Sequence, residues 1–345
     1  MMRKCTITAI VCLMPLQVIA AKQPTAFELL DKYAETQDKL QSFILKGACS
    51  TDYVDFFMRG KNKAHEAFEV RLDGNQFSLR KQIWGNLYYS PLKFIPKDKP
   101  VYQSFTWDGQ TYFQYGGRSR LWAPTLWQSH GKVFIHRDWN DVNTKKLISR
   151  DEACSALMGF FYGNDERIDS VLRKADSVSI RDKTQEIGGL KCYVIDAVTI
   201  SGKYTIWIDP EHGYNIAEAT IHREENDLQY DRPMTKGDKI VGSLKNVRFE
   251  KIDDVWVPIE SITKVLRDLP GKNFSNFTRH YKITALTLNP DFDILNAFIP
   301  DDIENGAEVE FTGVESITYT WQNGQVLDKK GRLIMDCRTK KSPKK

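Results

Sequence analysis

Absences set the first limits on this chain. It has no Cys-x-x-Cys pair, and its six histidines, at 65, 130, 136, 212, 222 and 280, never form His-x-x-x-His or His-Glu-x-x-His. A closed zinc site and a thioredoxin-like redox pair therefore have no local signature. No Gly-x-Ser-x-Gly elbow is present to present a nucleophilic serine. Nor is there a Gly-x-Gly-x-x-Gly loop over phosphates. After the first residues, no run approaches the ~20 apolar residues that span a bilayer as a helix. Solenoid or propeller repeats are also missing.

Charge of neither sign dominates. The formal net charge is +4; leaving out Arg3 and Lys4 gives +2, and leaving out the five basic residues of the acid-free tail RTKKSPKK gives −3. The body is thus mildly acidic, and nucleic acid is not an expected partner. The tail reads as a solvated end, with weak contact to an anionic surface as the alternative.

The N-terminus is informative. Arg3 and Lys4 precede an apolar run from Cys5 to Leu16 and a small-residue exit at Val18-Ile19-Ala20. This is the pattern of a cleaved signal peptide over residues 1–20. Ala9-Ile10-Val11 before Cys12 is not a lipobox. The expectation is a soluble, exported, periplasmic protein with no transmembrane helix. Cys49, Cys154, Cys192 and Cys337 then remain, and four cysteines in an oxidising compartment allow three disulfide pairings.

Aromatic residues are abundant, at 12% of the chain with eight Trp, fourteen Tyr and eighteen Phe. That richness suits strands and apolar pockets. One amphipathic helix opens the mature chain. Thr25 and Glu28 make a capping box, and Phe27, Leu30, Tyr33, Ala34 and Leu40 follow at helical spacing. From Phe43 the pattern alternates with period two. Hairpin turns are expected at Asp73-Gly74, Asp108-Gly109, Asp253-Asp254 and Asn323-Gly324. Between about Leu121 and Val178 the alternation lapses. There LWAPTLWQSHGKVF reads as irregular, and the stretch from Asp151 reads as one or two short helices carrying Ala153, Leu157, Met158 and Phe161 on one side. These elements predict a mainly β, α+β fold. Its strongly curved antiparallel sheet has the N-terminal helix and the central helical segment on the concave face, which leaves an apolar cavity.

Candidate chemistry is sparse. His136-Arg137-Asp138 with Asn143 imitates a kinase catalytic loop, but the rest of that constellation is missing. His212 and His222 sit ten apart across a hairpin and lack a third ligand. Cys154 follows Asp151 and Glu152, whose charge opposes thiolate formation. Asp253-Asp254 and Asp301-Asp302 fall where turns put them. Asp209, Glu211 and His212 crowd one stretch, YTIWIDPEHGYNIAEATIHRE, where Pro210 and Gly213 already explain a turn. Asn273 and Asn276 match glycosylation acceptors. No catalytic residue, metal or cofactor is assigned, and an enzyme is not expected. The aromatic hairpins are the better lead. Trp84, Trp107, Tyr112, Trp122, Leu157, Met158 and Phe161 are the candidate lining of an apolar groove.

A resemblance supports the same picture. The opening helix AFELLDKYAETQDKLQSF, the Trp207-Ile208-Asp209-Pro210 to Gly213 hairpin, and Phe298, Pro300, Gly306 and Val309 in the late segment NAFIPDDIENGAEVEF resemble the Lol-type lipoprotein carriers, the LolA, LolB and RseB group. The resemblance implies an incomplete β-barrel over residues 21–311, with an insertion around residues 92–178. A C-terminal hairpin and basic tail, residues 312–345, would follow it. It also implies a periplasmic carrier of a lipid, a lipoprotein acyl chain or another hydrophobic ligand. The alternatives are an envelope sensor or protein-interaction module on the same fold, with a protein partner, and then an envelope hydrolase.

Overall fold

The computed structural model of the chain describes residues 23–55, 61–86, 94–116, 131–136, 158–161, 163–270, 275–313 and 317–338. The expected signal peptide over residues 1–20 lies outside these residues, as do Trp122, Cys154 and Leu157.

Helix α1 (Ala26–Gln37) starts at the expected capping box. The Thr25 hydroxyl accepts from Glu28 N at 3.2 Å, and the Glu28 carboxylate accepts from Thr25 N at 2.6 Å. Its inward face is Ala26, Leu29, Leu30, Tyr33, Thr36 and Gln37. Phe27, expected on the apolar stripe, is instead 49% exposed. At about 100° per residue it points roughly a third of a turn away from the Ala26–Leu30–Tyr33 face.

Six strands follow: β1 (Ser42–Asp55), β2 (Lys61–Asp73), β3 (Gln76–Gly85), β4 (Val101–Trp107), β5 (Tyr112–Gly116) and β6 (Lys132–His136). Strand β6 thus occupies part of the stretch expected to be irregular. Helix α2 (Ile168–Arg173) leads into β7 (Ser177–Ile180), β8 (Gln185–Ile187), β9 (Leu190–Thr199), β10 (Gly202–Asp209) and β11 (Asn215–Arg223). A small ribbon of β12 (Leu228–Gln229) and β13 (Arg232–Pro233) precedes the long strands β14 (Lys239–Ile252), β15 (Val255–Asp268) and β16 (Ser275–Leu288). The single-turn helix α3 (Phe292–Leu295) and strands β17 (Glu308–Phe311), β18 (Tyr319–Gln322), β19 (Gln325–Leu327) and β20 (Leu333–Asp336) complete the described chain.

All but β12 and β13 join one 18-stranded sheet. Strands β9, β10, β11, β14, β15 and β16 run side by side, and so do β1 to β6. The two runs meet where β1 pairs β16, from Phe43 opposite Leu288 to Asp55 opposite Ser275. The expected turns at Asp73-Gly74, Asp108-Gly109, Asp253-Asp254 and Asn323-Gly324 all join paired strands. Asp253 and Asp254 both adopt positive φ, 46° and 64°, the twist a two-residue hairpin needs. Not every pairing is antiparallel: β17 lies parallel to β6, so the sheet is mixed. Its outer strands are β20 at one edge and β7 and β8 at the other, so it is not closed into a barrel.

Alternation sorts the side chains into distinct cores. One face of β1–β5, β15 and β16 carries Leu45, Phe68, Val70, Leu79, Trp107, Tyr112, Val257 and Ile283. A second cluster packs α1 and α2 onto β9, β10, β11 and β14 through Leu29, Leu30, Tyr33, Leu172, Ile195, Ile206 and Ile221. The opposite face of β5 and β6 buries Phe113, Tyr115, Val133 and Ile135 against Val309, Trp321, Val326 and Cys337.

Gly47 shows how tightly the central strand is built. It stands opposite Phe68 beside a register shift in the β1–β16 ladder. A Cβ there would lie 2.6 Å from Phe68 Cζ and 2.9 Å from Lys282 O. The ring therefore covers bare backbone. Gly47→Ala should destabilise the fold by about 2 kcal/mol through overpacking. Urea unfolding would read this as a lower midpoint with an unchanged slope.

Candidate functional site

The stretch Asp209–Asn215 turns β10 into β11 and receives α1. Asp209 is buried, and its carboxylate accepts from Glu211 N at 2.9 Å and faces His212 Nδ1. The His212 ring stacks on Phe249 and meets Trp256 edge-on. Gly213 and Tyr214 take positive φ, 69° and 58°. Carboxylate and imidazole thus serve the turn, as turn chemistry predicts. His222 sits at the far end of β11, paired with Lys203, so the two histidines do not converge. Among the described residues, no group of three His, Cys, Asp or Glu is placed to hold a metal ion.

From this turn a row of hydrogen bonds reaches α1. Thr36 Oγ1 donates to Gly213 O at 2.6 Å, Lys32 Nζ to Tyr214 OH at 2.8 Å, and Gln37 Nε2 to Asn215 Oδ1 at 3.0 Å. Asn215 Nδ2 also donates to His212 O and, at 2.9 Å, to Trp256 O on β15. A single buried amide thus links helix, turn and a third strand.

Next to α1 runs a short strap, Met158-Gly159-Phe160-Phe161. It is turn and extended chain rather than the expected helix, because Gly159 takes φ +73°. A Cβ on Gly159 would overlap Tyr33 OH at 1.9 Å, so only glycine lets the strap lie on α1. Phe160 is buried in the first cluster with Met158 packed against it, whereas Phe161 packs against the second. Downstream, Ile168 N donates to Gly159 O at 2.9 Å. Arg167 holds Asp169 with two bonds, 2.6 and 2.9 Å, and Asp38 with one of 2.8 Å. Further along, Asn164 Nδ2 donates to Tyr204 OH at 2.9 Å and Arg223 Nη2 to Asn164 Oδ1 at 2.6 Å.

The candidate groove residues therefore divide. Trp107, Tyr112 and Met158 share the first apolar cluster. Phe161 instead lines a cavity of about 20 Å³ with Tyr33, Gln37, Asn215 and Ser261. That volume holds roughly one water molecule. Trp84 is on the other face of β3, stacked on His65 at 5.6 Å with Lys97 above it. Odd-numbered Phe77 and Leu79 hold the cluster face of β3, and period-two alternation excludes Trp84 from it. Trp122 and Leu157 lie outside the described residues.

Sequence pattern missed Phe105, Ile252, Val255, Ile259 and Leu286, partly buried apolar side chains that border the same cluster. Alternation in each strand marks them as one face, but which strands meet is set by pairings distant in sequence. Other chemical candidates are already engaged. Arg80 contacts Asp301, and Tyr102 OH donates to Asp302 at 2.6 Å, so this acid pair is tied to a cation and a phenol. Asn276, on β16, is also engaged: its Oδ1 accepts from Arg267 N at 2.6 Å.

Cysteine chemistry is muted. No disulfide joins Cys49, Cys192 and Cys337 to one another, and all three are buried. Burial pushes the Cys49 thiol up to about 12, and the Cys192 thiol likewise to about 12. Neither is a nucleophile at neutral pH. Variants keeping only Cys49 or only Cys192 should resist a thiol reagent until denatured. Replacing Asn215 by Ala should cost about 2–3 kcal/mol, because it strands buried partners. Amide exchange should then quicken in α1 more than in the β2–β3 hairpin.

No family model matches the chain, and no curated protein matches it. Among solved structures, a DUF1329 family protein from Desulfovibrio piger aligns with 76% of this chain and 93% of its own, at 11% identity and a TM-score of 0.35. A structure of PNGF-II aligns with 77% of this chain and 31% of its own, at 9% identity and a TM-score of 0.18. At such scores neither likeness identifies fold or function.

Proposed function

We propose that this protein binds and carries a lipid, a lipoprotein acyl chain or a similar apolar ligand, in the periplasm after export. One observation carries the proposal. The strap Met158–Phe161 spans the seam between two apolar clusters, with Phe160 in one and Phe161 against the other. An acyl chain laid along Trp107 and Tyr112 in place of Met158 and Phe160 would keep the contacts apolar. In this picture the sheet is an incomplete barrel with α1 and the strap on its concave side. Each buried methylene contributes ~0.8 kcal/mol, so about ten supply about 8 kcal/mol with no catalytic group, less the cost of uncovering the strap.

A second use of the same fold, as an envelope sensor or protein-interaction module, is favoured by the open sheet edge at β20. The two are separable by experiment. Native mass spectrometry of protein purified without detergent should find an acyl ligand. A fluorescent fatty acid should bind saturably, and about tenfold more tightly (~1.4 kcal/mol) to Met158→Glu, whose polar side chain gives up the burial that holds the strap in the ligand's place. An empty protein with no affinity for the probe sinks the carrier proposal. A stoichiometric protein partner kept after lipid extraction favours the module.

A further inference from the structure

Helix α1 ends on an amide whose orientation is set from the sheet. Asn215 Nδ2 donates to His212 O at 2.8 Å and to Trp256 O at 2.9 Å. Two carbonyls therefore hold the Asn215 amino group, which leaves Oδ1 to face the helix. Gln37 meets it with Nε2 at 3.0 Å. Turning either amide over would set acceptor against acceptor, so Gln37 Oε1 is committed to the side away from Asn215 Oδ1. Gln37 is 4% exposed, and this oxygen is buried with no hydrogen-bond partner among the described residues. A buried carbonyl oxygen without a donor is costly, and native interiors supply one from protein or from ordered water.

Room for a donor lies beside it. Gln37 lines the cavity of about 20 Å³ with Tyr33 from the same helix face, Ser261 from β15, and Gly159 and Phe161 from the strap. Tyr33 and Ser261 are buried, and each carries a hydroxyl able to donate or accept. None of the lining residues is charged, which disfavours an ion, and the volume is too small for an organic molecule. One water fits the volume and finds the two to four polar partners it needs. We propose that this cavity is a binding site for a single structural water, which donates to Gln37 Oε1 and takes the Ser261 and Tyr33 hydroxyls as its other partners. The direct bonds of Lys32, Thr36 and Gln37 reach the β10–β11 turn. The water adds a tie from the same helix to β15. Because the strap forms one wall, displacing it would open the site to solvent. The proposal does not depend on ligand carriage.

Two measurements on the whole protein test it. A crystal structure at atomic resolution should show one solvent peak within about 3.0 Å of Gln37 Oε1. The crystals should come from protein that mass spectrometry finds free of lipid, so failure of the carriage proposal leaves this one standing. Oxygen-17 relaxation dispersion should count one long-lived water fewer in Ser261→Val, which removes a partner, fills the space and suits a strand. If that variant does not fold, Val247→Leu decides instead, since it lengthens an apolar wall of the cavity and leaves every polar partner in place. Absence of the peak overturns the inference. An unchanged count in the deciding variant does so too. A peak with six or more oxygen ligands at about 2.3–2.6 Å would mark a metal cation and equally overturn it.

Discussion

The fold depends on β1 pairing with both β2 and β16. That strand is the only link in the sheet, among the described residues, between the β2–β6 run and the β9–β16 run. Its partner β16 comes more than two hundred residues later, yet the ladder holds from Phe43 opposite Leu288 to Asp55 opposite Ser275. Loop closure grows only as the logarithm of loop length, so this separation costs little more than a short one. The long ladder and the shared apolar face offset it. Gly47 lets Phe68 lie over the strand at the shift in register, and this holds β1 to both neighbours at once.

Helix α1 is held by two kinds of force with separate tasks. Leu29, Leu30 and Tyr33 are almost fully buried, and each contributes about 1.5–3 kcal/mol by leaving water. Such burial is non-directional and tolerates sliding. The bonds from Thr36 and Gln37 to Gly213 and Asn215 are directional, and they fix where along the sheet the helix stops. The fixed helix in turn positions the strap, since Gly159 must lie against Tyr33 OH.

Much of this was legible residue by residue. The Thr25–Glu28 capping box, the Asp-Gly, Asn-Gly and Asp253-Asp254 turns, and the structural character of Asp209–Asn215 all follow from local chemistry, and the structure has them. What local pattern left open was global. The parallel pairing of β17 with β6 breaks the rule that hairpins simply follow one another. Trp84 and Trp107 look alike in sequence, but parity along their own strands sends them to opposite faces. Helical spacing alone puts Met158 and Phe161 on one face. Gly159 ends that possibility, and the two side chains turn to different clusters. The convergence of Tyr33, Gln37, Phe161 and Asn215 on one small cavity could not be read at all, because it joins elements about 120 to 180 residues apart in sequence, α1 against the strap and β11.

The proposed carriage requires release as well as binding, and displacement of the strap would set its energetics. Uncovering Met158 and Phe160 would cost about 3–6 kcal/mol if each side chain is worth about 1.5–3. An acyl chain of about ten methylenes returns about 8. The difference is a few kcal/mol, small enough to be reversed by a receiver with a somewhat better site. A deep preformed cavity would bind more tightly and exchange more slowly. In the proposed carriage the strap, and not the helix, is the part that yields. Lys32, Thr36 and Gln37 tie the helix to the turn, whereas at the strap's backbone Gly159 O accepts from Ile168 N and Phe161 O from Asn164 N.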